Sequence, residues 1–351
     1  MSHPADGPLA CPAPWPHGDV VQLAHGGGGT LTAGLIGRLF APAFDNPYLE
    51  PLGDGAVLAV GDERLAFTTD SFVVKPIFFP GGDVGSLAVH GTVNDLAMCG
   101  AEPLFLSAGF VLEEGFPMRD LERVVSGMAE ACRRVDVPLV TGDTKVVDRG
   151  KGDGIYVNTS GIGRVRDGVD VGPTRARAGD AILVSGPIGD HGIAVMAARE
   201  GIDFETALVS DSAPVVDTVR ALLEAVADTR VLRDPTRGGL ATALVEVAIS
   251  SKVGIRVEEA EIPVREEVRG ACELLGFDPL YVPCEGRFVA VVPGERAEAA
   301  LDAVRSRPGG EGACLIGRAV VEEPGRLVMR TRLGTHRLLV RLSGEQLPRI
   351  C

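Results

Sequence analysis

Residues 164–179 read RVRDGVDVGPTRARAG and divide the chain. The stretch is polar, carries Gly168, Gly172, Pro173 and Gly179, and lies between two strand-like segments, Ile155–Ile162 and Ala181–Val184. Neither segment can continue through it, so it reads as a linker. For 351 residues, at about 150 per domain, two domains are expected, each able to bury its own core. Upstream, Ala56–Val60 and Leu65–Thr69 are expected as strands joined by a Gly61-Asp62 turn, with Leu104–Val111 as another. In Asp120–Val135 the apolar residues Leu121, Val124, Val125, Met128, Cys132 and Val135 recur at helical spacing, with Asp120 as the expected N-cap. Ser86–Met98 reads as a second helix with a small-residue face. Downstream, helical patterns at Gly192–Glu200, Val215–Ala227 and Leu240–Ile249 precede strands at Phe288–Val292 and Leu315–Val321. Both halves mix strands and helices in similar order, which predicts an α+β chain of two related domains over 19–165 and 175–340. Residues 1–18 are Pro-rich and read as a loose extension. Residues 341–351 (RLSGEQLPRIC) have too little apolar content to form an element and are expected to be a mobile tail.

Composition narrows the function. The balance of 34 Lys+Arg against 48 Asp+Glu gives a net charge of -14, the wrong sign for neutralising nucleic-acid or membrane phosphates. Aromatics are 5% of the chain, which disfavours base stacking, so neither nucleic acid nor membrane is expected as a partner. Small anions can still bind where cations or backbone N–H groups are local. Glycine supplies 46 residues, about twice ordinary usage, so many positions need positive φ or close approach to a ligand. The seven cysteines are scattered with none at CxxC spacing, which argues against a zinc ribbon and for free thiols in a reducing cytoplasm. The N-terminal stretch has no basic or apolar region of a secretory signal, and no apolar run reaches about 18 residues.

Four aspartates stand beside glycines or small polar residues where predicted strands end: Asp54 in LGDGA, Asp70 in TTDS, Asp95 in VNDLA and Asp143 in TGDTK. Each alone reads as a turn or cap residue. Together, with Lys145 two residues after Asp143, they point to a metal–nucleotide site, because Mg²⁺ takes one or two carboxylates plus phosphate oxygens. His25–Gly29 (HGGGG) runs into the helical pattern Leu31–Phe40, so backbone N–H groups and a helix dipole could receive phosphate, although the P-loop and GxGxxG patterns are both absent. Four glycines could equally be a linker. A comparable loop, DPTRGGL at 234–240, offers Arg237 and two glycines, or else a simple helix start. Cys351 closes the chain, where a thiol could carry a covalently attached group as a swinging arm. Nothing follows it, which excludes CaaX prenylation. Glu285 in VPCEGRF precedes an expected strand that could hold a base, and is otherwise a turn residue.

These motifs, with FFPGGDVG (78–85), GTVNDLAMCGAEPLFLS (91–107), EEGFP (113–117), RGKGDGIYVNTSGIG (149–163), GPIGDHG (186–192) and the terminal PRIC, resemble in joint order the HypE family, the carbamoyl dehydratases of [NiFe]-hydrogenase maturation. The resemblance runs from about Val20 to Cys351. It implies the PurM-like fold of the aminoimidazole ribonucleotide (AIR) synthetase and selenophosphate synthetase superfamily, a homodimer paired through its N-terminal strands, and dependence on ATP and Mg²⁺. It implies that Cys351 accepts a carbamoyl group from HypF, that the thiocarbamate is dehydrated to a thiocyanate, and that cyanide passes to a HypC–HypD complex. Asp54, Asp70, Asp95 and Asp143 would then hold metal. The loop His25, Gly26, Gly27, Gly28, Gly29 with Asp70, Asn94, Asp143 and Thr144 would hold nucleotide, while Lys145 neutralises charge or relays a proton and Glu285 is the base. Cys284 stands where the motif has Asn. Another ATP-dependent synthetase of the superfamily, or a non-catalytic carrier of the same group, are the competing expectations.

Overall fold

Helix α1 (Val84–Met98) is apolar or small on nearly every side, a pattern that suits burial all round. The computed structural model, which describes residues 20–202, 208–344, 347 and 349–351, buries every α1 residue except Ser86 and Asp95. Asp83 starts the helix: its Oδ1 accepts the N–H groups of Gly85 and Ser86 at 2.8 and 3.2 Å, and Ser86 Oγ accepts the Asp83 N–H at 3.1 Å. This reciprocal cap satisfies donors that a helix start otherwise strands. The expected 1–18 extension, including Cys11, lies outside the described residues.

Helix α1 packs on a five-stranded sheet of β1 (Ala56–Val60), β2 (Glu63–Phe72), β3 (Ala101–Glu113), β4 (Leu139–Val147) and β5 (Ile155–Val165). Its order is β1-β2-β5-β3-β4, antiparallel throughout except for the β3–β4 pair. That parallel pair needs a crossover, supplied by α2 (Met118–Val135). The N-cap of α2 is Pro117, not Asp120 as the sequence predicts; Asp120 sits in the first turn, where its charge favours the helix dipole. Strand β4 is not predicted at all, because Gly142-Asp143 reads locally as a turn. Pairing with β3 overrides that preference and puts Asp143 in mid-strand rather than at a strand end. Asp95 likewise sits on α1, not at a strand end.

Residues 166–180 lead to a seven-stranded sheet. Its elements are β6 (Ala181–Val184), α3 (Asp190–Glu200), α4 (Val216–Ala225), β7 (Val231–Arg233), α5 (Gly239–Ser251), β8 (Gly254–Glu258), α6 (Glu266–Leu275), β9 (Val289–Val292), α7 (Ala297–Arg305), β10 (Cys314–Val320), β11 (Leu327–Arg330) and β12 (His336–Leu339). The strand order is β12-β11-β8-β10-β6-β9-β7. Helices cover both faces at its centre, which explains the continuous apolar runs of β6 and β9. Ile182 and Val291 join Leu240 and Leu244 on one side, while Leu183 and Ala290 join Leu222, Leu301 and Val304 on the other. The two domains share a third core, in which Phe72, Leu87 and Val124 are continuous with Ile193, Val195 and Val282. Among the described residues no helix is long and apolar enough to cross a membrane.

Candidate active site

Four chain segments deliver aspartates to one cleft of about 600 Å³. Asp54 comes from the loop before β1, Asp70 from β2 and Asp95 from the open side of α1, while Asp234 follows β7 in the second domain. One oxygen from each of Asp54, Asp95 and Asp234 lies within 4.8 Å of the others. Arg233 bonds Asp54 Oδ1 and Glu246 Oε2, each at 2.7 Å, and the Thr68 hydroxyl lies 2.7 Å from Asp95 Oδ2. Burial raises Asp54 to about 6 against the pull of Arg233. Burial, reinforced by Asp54, raises Asp234 to about 8. Burial together with Asp234 and Asp54 takes Asp95 well above the carboxylate range, and burial also raises Asp70. These acids prefer protons when alone, and a hard divalent cation held by carboxylate oxygens would replace them. The donor set therefore fits Mg²⁺, with Asp54, Asp95 and Asp234 as the residues that would hold it.

The shifts make a stability prediction for the metal-free chain. The folded state binds more protons than the unfolded state between the unfolded carboxylate range near pH 4 and about pH 8, so stability should decline as pH rises through that window. Thermal melts in EDTA at pH 5, 6.5 and 8 check this; a melting temperature that climbs steadily to pH 8 would contradict it.

Asp234 was legible only as part of a helix start. The structure gives the α5 N-cap to Gly238, which frees the carboxylate to face the cleft. Gly239 must be glycine, since its φ is +62° and a Cβ there would lie 2.9 Å from Tyr281 Cα. The two glycine loops picked out in the sequence meet one another here. Arg237 Nη1 donates to Gly26 O at 3.0 Å. Gly28 has φ +76°, and a Cβ on it would come within 2.8 Å of Arg237 Cβ. Thr30, at the start of the following helix, donates its N–H to Leu342 O at 2.7 Å. Gly26, Gly27 and Arg237 line a second cavity, of about 380 Å³, together with Cys351.

The end of the expected tail is docked there. Leu347 is 8% exposed and Ile350 2%. Backbone bonds add to these two buried side chains: Val73 N–H donates to Cys351 O and Lys75 N–H to Arg349 O, both at 3.1 Å. Arg349 pairs with Asp153, and Arg199 Nη2 donates to Arg349 O at 2.6 Å. The Cys351 thiol lies beside Glu285, close enough that each alters the proton affinity of the other. Glu285 is 3% exposed and its Oε1 has no hydrogen-bond partner. Burial, then Asp234, Asp70 and Asp211, push its carboxyl well above the usual range; burial and Glu285 do the same to the thiol. Arg237 stands nearby as the local cation. The Cys284 thiol does not disturb Glu285. Its Sγ takes the Gly189 N–H at 3.2 Å, while the Glu285 backbone is fixed by Asp211 Oδ1 at 3.0 Å and Asn94 Nδ2 at 3.3 Å.

Several predicted residues are used otherwise within this chain. His25 caps its own turn, its Nδ1 accepting the Gln22 N–H at 3.0 Å. Asn94 is consumed in joining the domains: its amide donates to Ala213 O and Glu285 O, and its oxygen accepts the Val215 N–H at 2.8 Å. Both of its amide protons are thereby used, and one of them fixes the Glu285 backbone. Asp143, Thr144 and Lys145 lie on the exposed edge strand β4, where Lys145 Nζ is 3.3 Å from Asp143. The register Ser71–Asn158–Gly109–Asp143 separates Asp143 from β2 by three strand spacings, about 14 Å. Its side chain faces away from α1, so within one chain Asp143 stands apart from the cleft that Asp54, Asp95 and Asp234 share.

Two family models match the chain: the N-terminal domain of AIR synthase related proteins over residues 52–165 and the C-terminal domain over 177–330. Carbamoyl dehydratase HypE of Azotobacter vinelandii is 52% identical over 331 residues, covering 94% of this chain and 97% of that protein. A solved HypE–HypF complex matches with TM-score 0.84 and 47% identity over 88% of this chain and 99% of that one. A HypE structure in complex with ATP matches with TM-score 0.80 and 50% identity over 95% and 100%. The fold and site are thus those of an AIR synthase-related protein, and within that class the chain belongs to the HypE family of hydrogenase maturation.

Proposed function

We propose that this chain dehydrates a carbamoyl group carried as a thiocarbamate on Cys351, using ATP, and leaves a thiocyanate on the same sulfur. The observation that carries the reading is the terminal thiol docked beside the buried Glu285, whose Oε1 has no hydrogen-bond partner, next to a carboxylate cleft suited to a metal-bound polyphosphate. The chemistry balances. The carbamoyl oxygen attacks the γ-phosphorus and ADP leaves; the two nitrogen protons are then lost and the C–O bond breaks, so the oxygen departs in phosphate and a nitrile remains. Glu285 is placed to take nitrogen protons, and its raised proton affinity makes its ionised form a competent base. Arg237 and the glycine loop would stabilise phosphate charge. Docking of the tail excludes water from an intermediate that water would hydrolyse. Mg²⁺ bound by Asp54, Asp95 and Asp234 would supply charge neutralisation.

HypF is the expected carbamoyl donor and a HypC–HypD complex the expected cyanide acceptor; both need the tail to leave its groove. The free thiols among the described residues suit a reducing cytoplasm. A homodimer is supported by the outer face of the first sheet, where Phe67, Ile162 and Phe105 form one exposed cross-strand row, an apolar surface that a second copy would cover. Asp143 and Lys145 stand on that same face, so they enter the reaction only through such pairing.

Intact-protein mass spectrometry tests the reading. Carbamoylated protein given MgATP should lose roughly 18 Da, one water, confined to the C-terminal peptide; a carrier or a different synthetase would keep the carbamoyl mass. For the metal, MgCl₂ at about a hundred times its dissociation constant should stabilise the protein by roughly 2.7 kcal/mol. The gain should be larger at pH 8 than at pH 5, because binding displaces protons, and largely absent in Asp234→Asn. An equal Mg²⁺ response from that variant would remove Asp234 from the site.

A further inference from the structure

The docked tail leaves one carbonyl to be satisfied by another segment. Arg349 and Cys351 turn their carbonyls to the Val73–Lys75 backbone, while the Ile350 carbonyl between them is bonded elsewhere. There it meets His191, a fully buried side chain from the GPIGDHG motif, whose Nε2 lies 2.9 Å from Ile350 O. A carbonyl can only accept, so Nε2 carries the proton and Nδ1 is left as an acceptor. Nδ1 lies 2.8 Å from Ser210 Oγ, which itself accepts the Ser212 N–H at 3.0 Å. Phe79 packs edge-on against the ring, with centroids 5.4 Å apart and planes at 88°. Burial keeps the imidazole below its ordinary pKa, in keeping with the neutral tautomer that the hydrogen bonds require.

We propose that His191, oriented by Ser210, is the positioning residue that fixes the reacting thiol, by holding the Ile350–Cys351 peptide at the angle that presents Sγ to Glu285. The proposal rests on the reading of Cys351 as the substrate-bearing residue, though not on the dehydration step. With the tail out, the Ile350 carbonyl bonds to water and His191 contributes nothing. With the tail in, removing the donor leaves a buried carbonyl without a partner, a penalty that falls on the docked state alone. His191 therefore sets the balance between a thiol offered to a donor enzyme and a thiol held for reaction.

The test is alkylation of Cys351 by iodoacetamide in the full-length protein, followed by mass spectrometry of the C-terminal peptide. His191→Leu should raise the labelling rate about tenfold over the wild type, the equivalent of roughly 1.4 kcal/mol, and Ser210→Ala by a smaller factor. His191→Gln, whose amide retains a donor, should return the rate toward that of the wild type. Single-turnover dehydration of carbamoylated His191→Leu should slow by a similar factor. Unchanged labelling in both His191→Leu and Ser210→Ala overturns the proposal, as does a glutamine variant that labels as fast as the leucine variant. If His191→Leu fails to fold, Ser210→Ala decides by itself, and an unchanged rate again overturns it. Should labelling respond as expected while the wild type never loses the mass of water, the positioning role stands and the dehydratase reading falls.

Discussion

Cys351→Ala should accept no carbamoyl group from HypF while binding ATP as the wild type does. The loss is complete because the sulfur is the atom to which the group bonds, and alanine offers no nucleophile. ATP binding should survive because the carboxylate cleft and the glycine loop are built from other segments. The anchors of the tail are also unaffected, being backbone bonds from Val73 and Lys75 and the buried side chains of Leu347 and Ile350. Labelled carbamoyl transfer, with nucleotide titration in parallel, checks both halves. Retained labelling would place the acceptor on another of the seven cysteines and remove the terminal thiol from the reaction.

Glu285→Gln should separate the two half-reactions. Carbamoyl acceptance does not need proton transfer to Glu285 from nitrogen and should continue, whereas MgATP-dependent loss of water should slow by about 10²–10⁴-fold, the usual contribution of a positioned proton acceptor. Glutamine keeps the volume of a side chain that is 3% exposed, so the loss would report proton transfer rather than collapse of the site. The sign of the pH dependence follows from the raised proton affinity of Glu285. The ionised carboxylate is the competent form, so the wild-type rate should rise as pH is raised through its titration, and the glutamine variant should lack that rise. An unchanged cyanation rate in Glu285→Gln would leave the base to be found elsewhere.

Much of the site was written in short motifs. The buried helix around Ser86–Met98 and the two glycine loops were legible in part because they depend on local composition or period, whereas Arg164 and Val165 of the expected linker belong to β5. Asp54, Asp70 and Asp95 were legible as a group, through their small neighbours. Asp234 and His191 were not assigned roles, since an aspartate before a helix and a histidine within one are ordinary locally. Asn94 and His25 also make contacts within the chain, with the backbone of Ala213, Glu285 and Val215, and of Gln22, that only the folded chain reveals.

By its sequence alone this protein determined its two-part α+β organisation, its acidic, glycine-rich character and the order of motifs that ends in a thiol, because these follow from residue type and spacing along the chain. Tertiary structure decided which carboxylates share a cleft, since β4 carries Asp143 to the other face of its sheet while Asp234 arrives from the second domain. It also decided that the tail packs, because the backbone of Val73 and Lys75 that receives it, and the histidine that meets the Ile350 carbonyl, come from segments more than a hundred residues away in the chain.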